Sequence, residues 1–412
     1  MKDIENTKKE APLKESPFLG LTGMGGGVGS LMWKSGAPLL KHTFWTWGSN
    51  EYGQLGQNNR TNYSSPIQVG AREDWARVQQ GYGTALIRND NTMWTWGKTE
   101  DGMLGHNVGK YGGPSGNTLQ LEGLSSPTQV GGDSDGWNYA AFGRGHGIFT
   151  KTDGTIWGCG GNDSGQLGLN TPGGSGTYRY SSPVQLFGTS TKFKEPQLTF
   201  PYSSASLVID DDSNLWAMGY NHYGILGLND AHNKQISSPT QIPGSWAFIS
   251  GNNEIASFGV KTDGTRWGWG RNWAGQLGNG DKTARSSPVQ IPGTWSNGGT
   301  AYHTIATTPS GTMYANGSGS GGALGLNSNT YHETPQQIPG TNWQFASVAT
   351  NRNLASRTNG TIWTWGAGNY GNLGHNENTS YSSPKQIPGT WDVTDQWSGG
   401  QGYLCGGVFK KV

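Results

Sequence analysis

Large and small side chains alternate along short runs in this chain. In Trp45-Thr46-Trp47-Gly48 two rings sit two residues apart, and residues i and i+2 of a strand share a face. The run returns as WTWG at Trp94 and Trp363 and as WGWG at Trp267, with looser copies at Trp157, Trp216 and Tyr314. The signals KTDGT at Lys151 and Lys261 and RTNGT at Arg357 precede three of these runs. Asp-Gly and Asn-Gly suit tight hairpin turns. After each run comes a glycine-flanked leucine, as in GQLG, and then a proline phrase such as SSPIQVG at Ser64 or SSPVQIPG at Ser286. The proline fixes an extended entry into another short strand. The lone leucine reads as a plug packed between neighbouring units.

The runs start 49, 63, 59, 51, 47 and 49 residues apart. A unit of about 50 residues holds four short strands and cannot bury both sheet faces alone, so such units stack around an axis. The pattern predicts an all-β chain, a seven-bladed β-propeller of four-stranded blades over residues 41–412. An extended glycine-rich arm over residues 1–40 precedes it. The expected blade core is Trp45, Trp47, Trp94, Trp96, Trp157, Trp216, Trp267, Trp269, Trp363 and Trp365. The tail WSGGQGYLCGGVFKKV matches the stretch from Val78 that precedes a hairpin, but lacks its own Trp run. That run stands near the other end, as LLKHTFWTWG. One blade is therefore expected to combine strands from both chain ends, which removes exposed edges.

Composition agrees with many tight turns. Glycine makes up 70 of 412 residues, charged residues only 13%, and aromatic residues 11%. A net charge of +1 gives no long-range field toward nucleic acid. No apolar run is long enough to insert in a membrane, and the mixed-charge start carries no secretory signal. Cys159 and Cys405 read as buried free thiols.

The phrase W-x-W-G-x-N-x-x-G-Q-L-G followed by S-S-P-x-Q-I resembles the repeat of the regulator of chromosome condensation family, over roughly residues 41–412. The resemblance implies a propeller. For function it allows several roles, among them exchange factor for a GTPase, photoreceptor, inhibitor and binding module. The basic tail for chromatin docking is absent, as is the GWRHT phrase of the plant photoreceptor. The stretch TRWGWGRNW places Arg266 and Arg271 beside three tryptophans, where cation–π contacts can form.

No phosphate loop, dinucleotide fingerprint, zinc spacing or nucleophile elbow is present, so no enzymatic activity, cofactor or metal is expected. His146 and His303 fall where other units carry Thr84, Ser257 or Cys405, which marks packing. His106 and His375 follow LG and read as surface loop residues. IDDDSN, Asp210 to Asn214, reads as an acidic turn, not a calcium site.

Function is sought where the repeats differ. Between LG and the proline phrase four units have 7 residues and one has 9, but the Trp94 unit has 19 and the Trp157 unit 12. These adjacent insertions predict one raised patch, with Tyr111, Tyr178, Arg179 and Tyr180 as contact groups. In the arm, Phe18, Leu19, Leu21, Met24, Leu31 and Trp33 are too apolar for a linker and predict an anchor. The arm also loosely resembles the glycine-rich starts of marine bacteriophage structural proteins. The expectation is thus a virion structural protein assembled in host cytoplasm. Its arm would attach to capsid, portal or tail proteins, and its propeller would face a neighbour, a host surface receptor or a glycan. The alternatives are a cytoplasmic interaction or guanine-nucleotide exchange factor, and a carbohydrate-binding module.

Overall fold

The computed structural model describes residues 41–80, 83–107, 123–143, 145–171, 178–188, 190–193, 198–199, 204–230, 233–251, 256–392 and 407–411. The arm, with Phe18, Leu19, Leu21, Met24, Leu31 and Trp33, lies outside the described residues, as do Tyr111 and Cys405. Within them the fold is an all-β propeller; its only helical pieces are four short 3-10 turns.

Among the described residues there are six four-stranded antiparallel blades rather than the seven expected, plus a sheet of three strands. In the Trp94 blade the order is Trp75–Gln80, Gly83–Arg88, Met93–Lys98 and Gly123–Val130. The first strands of successive blades touch one another and so form the inner ring, while the proline-phrase strands lie outermost. The three-stranded sheet joins His42–Gly48 to Tyr63–Gln68 on one side and to Gly407–Lys411 on the other, with His42 opposite Lys411.

One backbone hydrogen bond is repeated at every blade boundary. The N–H of the residue two past each GxLG phrase donates to the carbonyl of the next sheet's proline phrase. The bonds run Asn58 to Ser125, Asn107 to Ser181, Asn170 to Ser237, Asn229 to Ser286, Gly280 to Glu333 and Asn327 to Ser382, all within 2.7–3.0 Å. The seventh, Asn376 to Ser64 at 2.7 Å, joins the last blade to the first sheet. The six asparagines have φ between 53° and 62°, a region that Asn tolerates better than other side chains. The first glycine of each GxLG phrase lets the two chains meet. A Cβ on Gly371, at φ +70°, would stand 2.4 Å from the Ser64 Cα. Each phrase's leucine, from Leu55 through Leu373, is buried between blades.

The paired tryptophans divide the work rather than forming one equivalent pair. The second ring is fully buried, at Trp47, Trp96, Trp269 and Trp365. Its indole N–H donates back to the preceding blade, to the carbonyls of Asn372, Gln54, Ile225 and Ala323 at 2.8–3.1 Å. The first ring is only partly buried, at Trp45, Trp94, Trp157, Trp216, Trp267 and Trp363. It clamps its own hairpin: Trp94, Trp157, Trp267 and Trp363 donate to the turn threonines Thr92, Thr155, Thr265 and Thr361 at 2.9–3.1 Å. Three of these rings also sandwich a cation against a second tryptophan. Lys151 lies between Trp137 and Trp157, Lys261 between Trp246 and Trp267, and Arg357 between Trp343 and Trp363, at 4.0–5.2 Å from each ring centre.

Arg266 breaks this order. Its position is Met93, Ile156, Leu215, Met313 or Ile362 in other blades, all buried. The guanidinium is 1% exposed and lies over Phe258 and Trp295. It donates to the Leu277 carbonyl and to Asn316, while Nε and one terminal nitrogen have no protein partner. Burial pulls its pKa down to about 9.

Three outcomes follow for stability. Gly371→Ala should lower the unfolding free energy by about 2–4 kcal/mol, through left-handed strain and a clash at ring closure. Gly132→Ala, with open space around its Cβ, should change it by less than about 0.5 kcal/mol in the same denaturant titration. Arg266→Met should raise stability by about 1–4 kcal/mol, since an apolar replacement removes a buried, incompletely satisfied charge. A lowered melting temperature for this variant would contradict that account.

Candidate protein-interaction face

First and third strands run parallel within a blade, so the turn after the first strand and the GxLG loop after the third emerge on one face of the ring. An asparagine pins this loop in four units. The side-chain oxygens of Asn50, Asn162, Asn221 and Asn272 accept the N–H of Leu55, Leu167, Leu226 and Leu277 at 2.9–3.0 Å. Residues just before the leucine phrase are thereby held at fixed places on the face.

Their chemistry changes around the ring. On the Trp94 and Trp157 blades the face is ionic. Lys98 pairs with Glu100, and Arg179 lies 2.7 Å from Asp101 and 3.6 Å from Asp163. Burial pushes the Asp101 carboxyl above its usual range despite Arg179. On the next three blades it is aromatic. Tyr220 stacks on His222, His222 contacts Tyr223, and Arg271 lies over both Tyr223 and Trp273. Trp273 meets Tyr302 edge-on at 5.8 Å and is 43% exposed. On the Trp363 blade Tyr370 is 54% exposed.

The sequence-selected contact residues sit at the edge of the ionic region. The Tyr178 carbonyl accepts the Asn162 N–H, Arg179 forms the ion pairs above, and Tyr180 packs against the core with Ile148 and Leu167. Tyr111, with most of the first insertion and half of the second, lies outside the described residues. The aromatic cluster went largely unnoticed in the sequence. Its signal was a comparison across units at one position, where Glu51, Glu100 and Asp163 give way to Trp273.

The histidines are placed differently from the sequence reading. His146 and His303 pair with Gly160 and Gly317, whereas Thr84 and Ser257 pair with Trp96 and Trp269. The histidines therefore stand one residue earlier in the strand and on its other face. Cys405, the third residue of that comparison, is outside the described region. His146 reaches Ser206 at 2.9 Å and His303 reaches Asn353 at 2.7 Å, each in the next blade. His106 and His375 are not loose loop residues either. They bond to Thr95 and Thr364 and are partly buried.

Cys159 is a buried thiol that donates to the Met103 carbonyl, and burial raises its pKa. The Asp210 carboxylate accepts from Asp212, Asn214 and Trp216 of its own turn. Among the described residues no three His, Cys, Asp or Glu side chains gather as metal ligands, and no helix is long and apolar enough to cross a membrane.

Residues 42–86 and 359–404 match the model of the regulator of chromosome condensation (RCC1) repeat. The chain is thus a β-propeller in which two segments match this repeat, and the inter-blade bonds described above recur in the units between them. Human WBSCR16 has a similar structure, with a TM-score of 0.76 at 17% identity over 90% of this chain and 99% of that one. Yeast RCC1 (Prp20) bound to Kap60 has a TM-score of 0.72 at 16% identity, covering 93% and 95%. Prp20p from Saccharomyces cerevisiae, described with its binding to Gsp1p and histones, has a TM-score of 0.71 at 16% identity, covering 91% and 92%. At these identities the likeness is one of fold.

His303 gives a pH signature. Asn353 donates its amide nitrogen to the Ala323 carbonyl at 2.6 Å, so its oxygen faces His303 and accepts from Nε2. Nδ1 is buried without a partner. Adding a proton there would strand a charged donor, and burial holds the pKa down to about 4. The unfolded chain binds the proton near pH 6.5. Stability should therefore be intact above pH 6.5 and fall by about 3 kcal/mol as pH drops from 6.5 to 4. His303→Gln should make that acid limb shallower, leaving the part due to His375 and His106, whose pKa values burial also lowers, in urea titrations at several pH values.

Proposed function

We propose that this chain is a protein-interaction module, an RCC1-type propeller that binds a partner on its loop face and acts by binding rather than by catalysis. The observation that carries this reading is the distribution of polar groups. Inside the ring they are spent on blade-to-blade bonds, while the loop face displays Trp273, Tyr370 and a stacked arginine. Tryptophan, tyrosine and arginine dominate the energetics of protein interfaces.

The exchange-factor reading is the narrower form of the same proposal. Its support is the likeness to Prp20p, which is described with Gsp1p as a binding partner. The virion reading rested mainly on the arm, residues 1–40, which lies outside the described residues; the low charge and regular repeats that accompanied it suit any propeller. Neither WBSCR16 nor Prp20p is described as a capsid, portal or tail protein, so the similar structures named above lend that attachment no support.

Quantitative co-purification from the cells that express the chain tests the module reading. Wild type should retain specific proteins that a Trp273→Asp/Tyr370→Asp variant loses. Identical recovery from wild type, double variant and bare resin would overturn it. The narrower form is read from release of fluorescent GDP from a panel of small GTPases. Acceleration by catalytic amounts of the chain is expected, and release at the spontaneous rate throughout would remove the exchange role.

A further inference from the structure

The repeats supply an internal comparison at the start of the loop face. Two positions matter, the residue directly after the glycine of the Trp run and the residue two further on. In the Trp94 blade these are Lys98 and Glu100, which neutralise each other. The second position is also acidic in the Trp45 sheet and the Trp157 blade, as Glu51 and Asp163. In the Trp267 blade the pair is Arg271 and Trp273. Only the Trp94 and Trp267 units carry a cation at the first position, and in the latter an indole stands where the former has its carboxylate.

The replacement leaves a defined cationic group. Among the described residues Arg271 enters no ion pair, and its guanidinium lies against rings. The guanidinium lies 4.7 Å from the Tyr223 ring centre and 5.5 Å from that of Trp273. Tyr223 sits in the left-handed region of its turn, at φ 54°, and the His222 ring packs against its own at 4.0 Å between centres. Tyr302 of the next blade supports Trp273 from the side. A guanidinium stacked on aromatic faces keeps its N–H edge for hydrogen bonding, and that edge matches a carboxylate in bidentate geometry.

We propose that the Tyr223–Arg271–Trp273 clamp receives a carboxylate from an acidic segment of a protein partner. The partner then supplies the carboxylate that Glu100 supplies to Lys98 in the Trp94 blade, and the Trp273–Tyr302 pair covers apolar residues beside it. This rests on the reading of the propeller as a protein-binding module and specifies where and how it binds.

The test is fluorescence anisotropy of the full chain with a labelled peptide in which Glu alternates with Leu and Tyr, beside its Gln counterpart. The acidic peptide should bind at least about tenfold more tightly, with an affinity that falls as salt rises. Arg271→Ala and Arg271→Gln should erase that preference, and Arg271→Lys should weaken it several-fold, since Lys keeps charge but not the planar fork. Trp273→Ala should weaken both peptides. Unchanged melting temperatures would show that these surface changes leave the fold intact; a variant that fails this check is replaced by the other Arg271 substitution. Equal binding of the two peptides, no binding of either, or wild-type preference in both Arg271 variants would overturn the proposal. So would inorganic phosphate displacing the acidic peptide at concentrations where acetate does not, because the clamp would then be a phosphate site. A co-purified partner that binds Arg271→Ala as tightly as wild type would refute this clamp while leaving the module reading intact.

Discussion

The structure depends on the need of backbone groups at blade boundaries to find partners away from water. A propeller blade is a sheet whose faces are covered by its neighbours, so any N–H or C=O trapped at that boundary must be paired there. The repeated bond from the left-handed residue of one loop to the proline phrase of the next sheet supplies a pairing at each boundary. The carbonyl in the middle of GxLG supplies another. Gln54 accepts from both Trp96 and Thr84, Ile225 from Trp269 and Ser257, and Ala323 from Trp365 and Asn353. Buried leucines fill the space around these bonds and keep water from competing.

The repeats show that the bond matters more than the residue that makes it. Where the second tryptophan is absent, Cys159 donates its thiol to Met103, and Asn316 donates its amide to Gln276. Met218 has nothing to donate, and the Ser206 hydroxyl beside it satisfies Gln166 instead. Donors as different as an indole, a thiol and an amide are interchangeable here because the acceptor is fixed by backbone. The side chain must only reach it and fill the remaining volume.

This explains how much could be read from the sequence. Trp runs, turn signals and the LG and SSP phrases are local, and they marked blades, plugs and hairpins correctly in kind. The pairing of His42–Gly48 with Gly407–Lys411 was legible too, because a strand missing from one end reappeared at the other. The different duties of Trp94 and Trp96 were not legible, since alternation says only that two side chains share a face. Register was also lost by one residue at His146 and His303, because neighbouring positions both carry small or polar residues and no apolar pattern disciplines them. At the site, length differences drew attention to Tyr178 and Arg179. The exchange of an acid for Trp273 changes no length and becomes visible only when loops from different blades are laid over one another.

The closing sheet has a mechanical side. His42 and Lys411 are opposite each other at the same end of an antiparallel pair, so force pulling them apart meets the ladder bonds one after another rather than all together. A ring whose blades hold each other along their full length is thus fastened like a zip, with the slider at the point where its two ends meet. Tension applied through those ends finds the seam before it loads any other blade.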